Sequence, residues 1–178
     1  MCNLTCVKDP CFCWNEEVYQ PSEDTWFLWE VIEDLPYVGG LGVEIGCGSG
    51  VLLNVISKKV EKVIGIDLME CAVKACKSCG FEAIRCNSMS CVRDANLVVS
   101  NLPYLPCEDD IATCDKWAKE ALRFVRVRKG GLLVLLYSSL TSFDVLDAIR
   151  RMGFDLLELK RRSLGLEELI VIVSRKKL

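Results

Sequence analysis

The stretch Leu41-Gly42-Val43-Glu44-Ile45-Gly46-Cys47-Gly48-Ser49-Gly50 decides the fold. Its first five residues read as a buried strand, and a helix follows from about Ser49 to Ser57. The glycines between them let the backbone turn sharply and pass close to a ligand. Outward from this unit, strands and helices alternate. Lys62 to Ile66 reads as a strand ending at Asp67, residues 69–79 as a helix closed by Gly80, and Glu82 to Cys86 as a short strand. Ala95 to Ser100 is a continuous apolar strand running into Asn101. Asp115 to Val127 reads as a helix with Trp117, Ala121, Phe124 and Val125 on one face. Gly131 to Tyr137 is a strand, and Thr141 to Met152 a helix that Thr141 can cap and Gly153 closes. Phe154 to Lys160 and Glu168 to Ser174 are the last strands. Upstream, Pro21-Ser22-Glu23-Asp24-Thr25 opens a helix to about Leu35, which Ser22 or Asp24 can cap, with Trp26, Phe27, Trp29 and Ile32 as apolar positions and Pro36 as its stop. Continuous apolar strands separated by helices predict a parallel sheet covered on both faces. The short connection from Arg162 to Leu166 permits a hairpin, hence one antiparallel strand at the end. Residues 1–20 read as an irregular cysteine-rich arm and residues 21–178 as one folded domain.

The glycine-rich turn carries ligand information. Its spacing is G-x-G-x-G, with the third glycine at Gly50, whereas the dinucleotide fingerprint would need one at position 51, which is Val51. Glu44 stands two residues before the first glycine, where an ammonium group would want a carboxylate and a pyrophosphate would not. Asp67 ends the next strand, where it can take both hydroxyls of a ribose. Ammonium, ribose and no phosphate describe S-adenosylmethionine rather than a nicotinamide dinucleotide. The third strand ends at Cys86-Asn87-Ser88, beside the adenine by the switch-point rule, so Asn87 can face the adenine edge or serve as a plain polar turn.

A second constellation follows the fourth strand: Ser100-Asn101-Leu102-Pro103-Tyr104-Leu105-Pro106. A strand C-terminus in such a sheet faces the ligand crevice. Asn101 can accept a hydrogen bond from a substrate NH2 group, and the Leu102 carbonyl can accept the other hydrogen in a turn that Pro103 stiffens. Tyr104 can stack on a planar group. Two acceptors on one NH2 aim its lone pair at an incoming methyl without a general base.

Composition agrees. The chain has 178 residues, 51 % of them hydrophobic, enough for one domain with a substantial core. Histidine is absent, which removes the commonest general base and every histidine-containing metal site. Residues 1–114 hold 8 Lys/Arg against 17 Asp/Glu, and residues 115–178 hold 14 against 8. An acidic first two-thirds argues against a nucleic-acid surface, although the basic end (Lys160, Arg161, Arg162, Arg175, Lys176, Lys177) can touch an acidic partner or RNA, or lie solvated. The longest apolar stretch, Gly130 to Leu140, is too short to span a bilayer. The start of the chain carries no basic segment followed by an apolar run, so the expectation is no secretory signal and a cytoplasmic address. Twelve cysteines leave three readings open: buried apolar thiols, disulfides of the kind found inside hyperthermophiles, or a metal site at Cys2, Cys6, Cys11 and Cys13. Their spacing matches no standard ligand pattern, so no metal is assigned.

With these motifs in place, the chain resembles the class I methyltransferases, and within them the HemK group of protein N5-glutamine methyltransferases, in its short archaeal and eukaryotic branch. Val18-Tyr19-Gln20-Pro21-Ser22-Glu23-Asp24-Thr25, Glu44 to Gly50 and Asn101-Leu102-Pro103-Tyr104 carry the resemblance, which extends from residue 18 onward. It implies an α/β, Rossmann-like sheet of seven strands in the order 3-2-1-4-5-7-6, with the last strand antiparallel and helices on both faces. It implies S-adenosylmethionine as cofactor and methylation of the glutamine of a Gly-Gly-Gln motif in a peptide-chain release factor. A small zinc-binding activator often covers an apolar edge in this branch. By the same resemblance Glu23, Asp24 and Thr25 cap the cofactor, with Glu44, Gly46, Gly48, Gly50, Asp67 and Asn87 also around it. Asn101, Leu102, Pro103 and Tyr104 form the acceptor site. Two positions depart from the pattern. Leu102 stands where the family usually has proline, and Asn87 where it usually has an acid. Asn-Leu-Pro-Tyr is also the pattern of ribosomal RNA adenine dimethylases, so transfer to an adenine or guanine amino group is the alternative. A small-molecule or lysine acceptor and a catalytically silent fold complete the alternatives.

Overall fold

The computed structural model describes residues 2–104 and 111–178, without the side chains of residues 111 and 112. After an N-terminal hairpin of β1 (Thr5–Lys8) and β2 (Cys11–Trp14), and helix α1 (Glu23–Glu33), the alternation begins. It runs β3 (Leu41–Ile45), α2 (Val51–Ile56), β4 (Lys62–Asp67), α3 (Glu70–Ser78), β5 (Glu82–Arg85), β6 (Ala95–Asn101), α4 (Ile111–Arg123), β7 (Val127–Ser138), α5 (Val145–Arg151), β8 (Phe154–Leu164) and β9 (Glu167–Lys176). The large sheet has the order β5-β4-β3-β6-β7-β9-β8. Counted without the hairpin strands, this is 3-2-1-4-5-7-6, and β9 is antiparallel to both of its neighbours, as expected.

The continuous apolar runs have a direct cause. Side chains alternate across a strand, and both faces of this sheet are covered. Leu97 and Val99 of β6 and Leu132, Val134 and Leu136 of β7 pack with Phe27, Leu28 and Ile32 of α1, Leu53 of α2 and Cys76 of α3. Val98, Leu133 and Leu135 point the other way, onto Ala118 and Leu122 of α4 and Val145 and Ile149 of α5. The chain reverses from β5 outward to β6 between β3 and β6. The strand C-termini on either side of that reversal therefore open a crevice.

Four local readings are corrected. The arm is not irregular, because Thr5 to Lys8 pairs in register with Trp14 to Cys11, and cysteine bridges hold the hairpin to the body. Helix α4 begins at Ile111 and ends at Arg123, four residues earlier at each end than its pattern suggested. Val127 is instead buried and paired with Ala95, so β7 starts there. Helix α5 is capped by Asp144, whose carboxylate accepts from the Asp147 N–H at 2.9 Å, and not by Thr141. The cysteine question is settled for the described residues in favour of disulfides. Cys2–Cys71, Cys6–Cys13, Cys11–Cys79 and Cys86–Cys91 are bonded, while Cys47 and Cys76 are buried thiols. Cys107 lies outside the described residues. Among the described residues no helix is long and apolar enough to cross a membrane.

Close packing extends to the floor of the crevice. A Cβ added at Gly65 of β4 would stand 2.9 Å from both Cβ and Sγ of Cys47 and 3.1 Å from Cδ1 of Leu53. Gly65→Ala should therefore lower the free energy of unfolding by about 1–3 kcal/mol, the usual range for overpacking. Denaturant titration beside the wild type measures this.

Candidate functional site

The C-termini of β3, β4 and β6, the first turn of α1 and the chain from Trp14 to Pro21 enclose a cavity of about 680 Å³. That is within the range of sites for small organic ligands. Its walls carry the carboxylates of Glu16, Glu17, Asp24, Glu44 and Asp67, and no lysine or arginine among the described residues. The field there favours a cationic ligand and opposes a phosphate.

The loop after β3 is built to leave room. Gly46 and Gly48 hold φ of +73° and +48°, and a Cβ at either would meet nothing within 4 Å. The N–H groups of Gly46 and Cys47 donate to the Ile66 carbonyl at 2.8 and 3.0 Å, which ties the loop to β4. Gly50 serves differently. At φ +83° it starts α2, and a Cβ there would stand 3.3 Å from the Cα of Cys76, so its smallness lets α3 approach rather than lining the cavity. Beneath the loop the Cys76 thiol donates to Cys47 Sγ at 3.2 Å. That contact first, then burial, pushes the Cys47 thiol well up, so it stays neutral.

Glu44 ends inside the crevice, 3 % exposed, with Oε2 buried and unpartnered. Burial, then the neighbouring Cys76 and Asp67, raises its carboxyl well above the usual range. A buried acceptor without a partner is costly, and a bound ammonium would remove that cost. Asp67 is better satisfied. Its Oδ2 accepts from the Gly48 N–H at 3.0 Å and its Oδ1 from the Met69 N–H at 2.9 Å. Burial still pushes it up, against those backbone donors.

Across the cavity, Asp24 organises the end formed by Asn101 and Tyr104. It is 4 % exposed. Its Oδ1 accepts from the Thr25 N–H at 2.8 Å, the Thr25 hydroxyl at 3.3 Å and the Tyr19 hydroxyl at 3.2 Å. Its Oδ2 accepts from Asn101 Nδ2 at 2.7 Å and from the Tyr104 hydroxyl at 3.1 Å. A carboxylate only accepts, so it fixes which way the Asn101 amide faces. Nδ2 is tied to Asp24, and Oδ1 is left buried with no partner among the described residues. Burial and Asp24 push the Tyr104 hydroxyl far up, keeping it a donor. The Leu102 side chain is 1 % exposed and sits in the core under α4. Its N–H donates to the Leu136 carbonyl at 2.9 Å, which anchors the turn. The leucine side chain therefore contributes core contact.

Of the residues singled out from sequence, Asp24, Thr25, Glu44, Gly46, Gly48, Asp67, Asn101, Leu102, Pro103 and Tyr104 meet around this cavity. Glu23 is exposed on the first turn of α1, and Gly50 packs on α3. Asn87 donates to Glu120 Oε1 at 3.3 Å, outside the cavity wall. Leu105 and Pro106 lie outside the described residues. Two contributors were not foreseen. Trp117, read as part of the apolar face of its helix, is 46 % exposed and lines the cavity, because Ala118 and Leu122 take the buried stripe of α4. The arm from Trp14 to Gln20 forms a wall, for which the only sequence signal was Tyr19 beside the Pro-Ser-Glu-Asp-Thr segment.

Residues 43–135, just over half of the chain, match the family profile described as a methyltransferase domain. The fold is similar to one in the E. cuniculi Mtq2-Trm112 complex, which is responsible for methylation of the eRF1 translation termination factor. That match has 24 % identity and a TM-score of 0.75 over 90 % of this chain and 99 % of that one. It is also similar to the ribosomal protein L11 methylase of Lactobacillus delbrueckii subsp. bulgaricus, with 13 % identity and a TM-score of 0.69 over 93 % of this chain and 84 % of that one. A third is the N-methyltransferase NodS of Bradyrhizobium japonicum with S-adenosyl-L-homocysteine bound, with 14 % identity and a TM-score of 0.60 over 88 % and 89 % of the two chains. No curated protein matches the sequence significantly.

The burial of Glu44 has a measurable sign. A carboxyl whose folded-state pKa is raised binds more protons folded than unfolded, so rising pH costs stability between the unfolded and folded values. Stability of the ligand-free wild type should fall relative to Glu44→Gln as pH rises from the ordinary carboxylate range, then level off above the raised value. Paired denaturation curves across that range check it. A difference independent of pH would contradict the assignment.

Proposed function

The chain belongs to the methyltransferase domain family, whose cofactor is S-adenosylmethionine, and from this premise we propose that it methylates the side-chain amide nitrogen of a glutamine in the Gly-Gly-Gln motif of a translation release factor. On this reading it is a HemK-type enzyme of the short branch. Residues 21–178 are its catalytic domain, and residues 1–20 are an arm that completes the pocket.

The cavity fits the cofactor on its own chemistry: an unpartnered buried carboxylate, open space over two glycines, and no cation in its described wall. Glu44 would hold the amino group, Asp67 the ribose hydroxyls, and Gly46 and Gly48 the closely approaching backbone. When bound, S-adenosylmethionine supplies an electrophilic methyl on a sulfonium. The protein's own task is to present a weak nucleophile in line and exclude competing geometry.

One observation carries the choice of acceptor. Asn101 Oδ1 is buried and has no partner among the described residues, and the bond from Nδ2 to Asp24 fixes which way the amide of this cavity-lining residue faces. It accepts one hydrogen of a planar NH2, and the Leu102 carbonyl takes the other. Tyr104, its hydroxyl tied to Asp24, lies beside them, and Tyr19 and Trp117 flank the mouth. Glutamine and adenine both offer such an NH2. The acidic wall favours a neutral or basic peptide over a phosphate-bearing nucleotide. The fold shared with the E. cuniculi eRF1-methylating protein supports the same choice. Leu68 and Met69 after β4 and Ile84 on the edge strand β5 are exposed, an apolar border suited to a small activator subunit.

The test is methyl transfer from labelled cofactor to a release factor, its Gln→Ala form and an unmodified ribosomal RNA, with and without a zinc-binding activator. Label on the wild-type factor alone is expected; label on RNA instead would overturn the reading. Asn101→Ala should lower kcat by about a hundredfold and leave cofactor affinity nearly unchanged. Asp67→Ala should instead raise the cofactor Kd, read by calorimetry.

A further inference from the structure

We propose that the N-terminal hairpin is a disulfide-held strap over the cofactor cavity, so that cofactor affinity is linked to the redox state of Cys2–Cys71 and Cys11–Cys79. The proposal rests on the cavity being the cofactor site, and not on the identity of the methyl acceptor.

Every residue from Trp14 to Pro21 lines the cavity, so this wall is the direct continuation of β2. What positions β2 therefore positions the wall. The two bridges attach the hairpin at both ends of one helix, Cys2 to Cys71 in the first turn of α3 and Cys11 to the C-cap residue Cys79. A third bridge, Cys6–Cys13, joins directly opposed residues of β1 and β2 and keeps the hairpin itself closed. The Sγ atoms of Cys13 and Cys79 lie 3.9 Å apart, so two of the bridges touch. Helix α3 also borders the cavity, through Met69 just before it and Ala72 within it.

The noncovalent attachment is slight by comparison. All four residues of β1 are exposed. A lone two-stranded hairpin is marginal in water. Its shared core with α3 is small: Cys13, Val18, Cys71, Ala72 and Ala75 are buried in it, with Cys2, Leu4, Trp14 and Cys79 partly buried beside them, while Phe12 packs on the main core and the Tyr19 hydroxyl donates to Asp24. Beyond this, the Cys13 N–H donates to the Ser49 carbonyl at 3.0 Å. Asn54 pairs with the backbone of Cys11, accepting at 3.3 Å and donating at 2.7 Å. These bonds connect the strap to the glycine-rich loop and α2, the elements that the cofactor would touch.

Opening the strap is a defined redox step. A dithiol reductant transfers two electrons and two protons to each bridge, breaking one S–S bond into two thiols, and closes into its own disulfide. With both bridges open, the strap samples detached states and the cavity loses a wall for part of the time. Affinity then falls in proportion to the closed fraction. By linkage, bound cofactor must protect the same bridges from reduction.

S-adenosyl-L-homocysteine binding, measured by calorimetry, tests this on the oxidised chain, on the chain after dithiol treatment, and on the variant Cys2→Ser/Cys71→Ser/Cys11→Ser/Cys79→Ser. The expected result is a Kd about tenfold higher or more in the two unbridged forms, with far-UV circular dichroism unchanged. Trypsin cleavage at Lys8 in the reduced chain should also be slowed by the ligand. If the fourfold variant does not fold, Cys2→Ser/Cys71→Ser and Cys11→Ser/Cys79→Ser are compared singly, and each should bind more weakly than wild type. Affinity within about twofold of the oxidised chain in the folded unbridged forms, or in both single-bridge variants, would overturn the proposal. Failure to methylate a release factor would leave this binding result untouched, so the two readings fail separately.

Discussion

The bond from Asn101 Nδ2 to Asp24 Oδ2, at 2.7 Å, is the constraint on which the candidate active site depends. It joins the first turn of α1 to the end of β6, elements far apart in sequence. A primary amide can face either way at nearly equal intrinsic cost, and a carboxylate partner removes that freedom. Because Asp24 also collects the Tyr19 and Tyr104 hydroxyls and the Thr25 donors, one buried side chain sets the orientation of the groups at this end of the cavity. The arrangement leaves two buried oxygens without partners among the described residues, Asn101 Oδ1 and Glu44 Oε2. Asn101 and Glu44 both line a single cavity. Unsatisfied buried acceptors are costly in a folded protein, and here both belong to residues that line the cavity.

The sheet was legible because its signals are local and repeated. Continuous apolar runs at β3, β6 and β7 each feed both faces, and Gly46, Gly48 and Gly50 mark the strand-to-helix turn. The antiparallel last strand followed from the brevity of the β8–β9 connection, with Gly165 at φ +78° in its turn, whereas the strand order came only from the resemblance. The misplaced boundaries lay where two patterns overlap. Val125 and Val127 continue an apolar helical stripe, yet Val127 is claimed by its pairing with Ala95. Tertiary pairing overrode helical periodicity there. Trp117 failed for a related reason: the stripe that α4 buries is set by Ala118 and Leu122, and a large aromatic beside it was free to face the cavity.

The site was legible where a residue type implies its own chemistry. Glu44, Asp67 and Asn101 were identifiable from charge, hydrogen-bonding capacity and position at strand ends. The pairing of Asp24 with Asn101 was not, because nothing local relates residues separated by 77 positions. Nor were the bridges, since cysteine spacing alone does not fix connectivity. Those bridges change how the arm is understood. A segment with little packing of its own becomes a wall of the pocket through covalent attachment to α3.

The most direct test of this account is a crystal structure with S-adenosyl-L-homocysteine and a glutamine-containing Gly-Gly-Gln peptide bound. The account predicts Asn101 Nδ2 still on Asp24 and Oδ1 within hydrogen-bond distance of the glutamine side-chain nitrogen, with the Leu102 carbonyl taking the second hydrogen. A glutamine seated away from Asn101, or an Asn101 amide turned to present Nδ2 to the substrate, would contradict it.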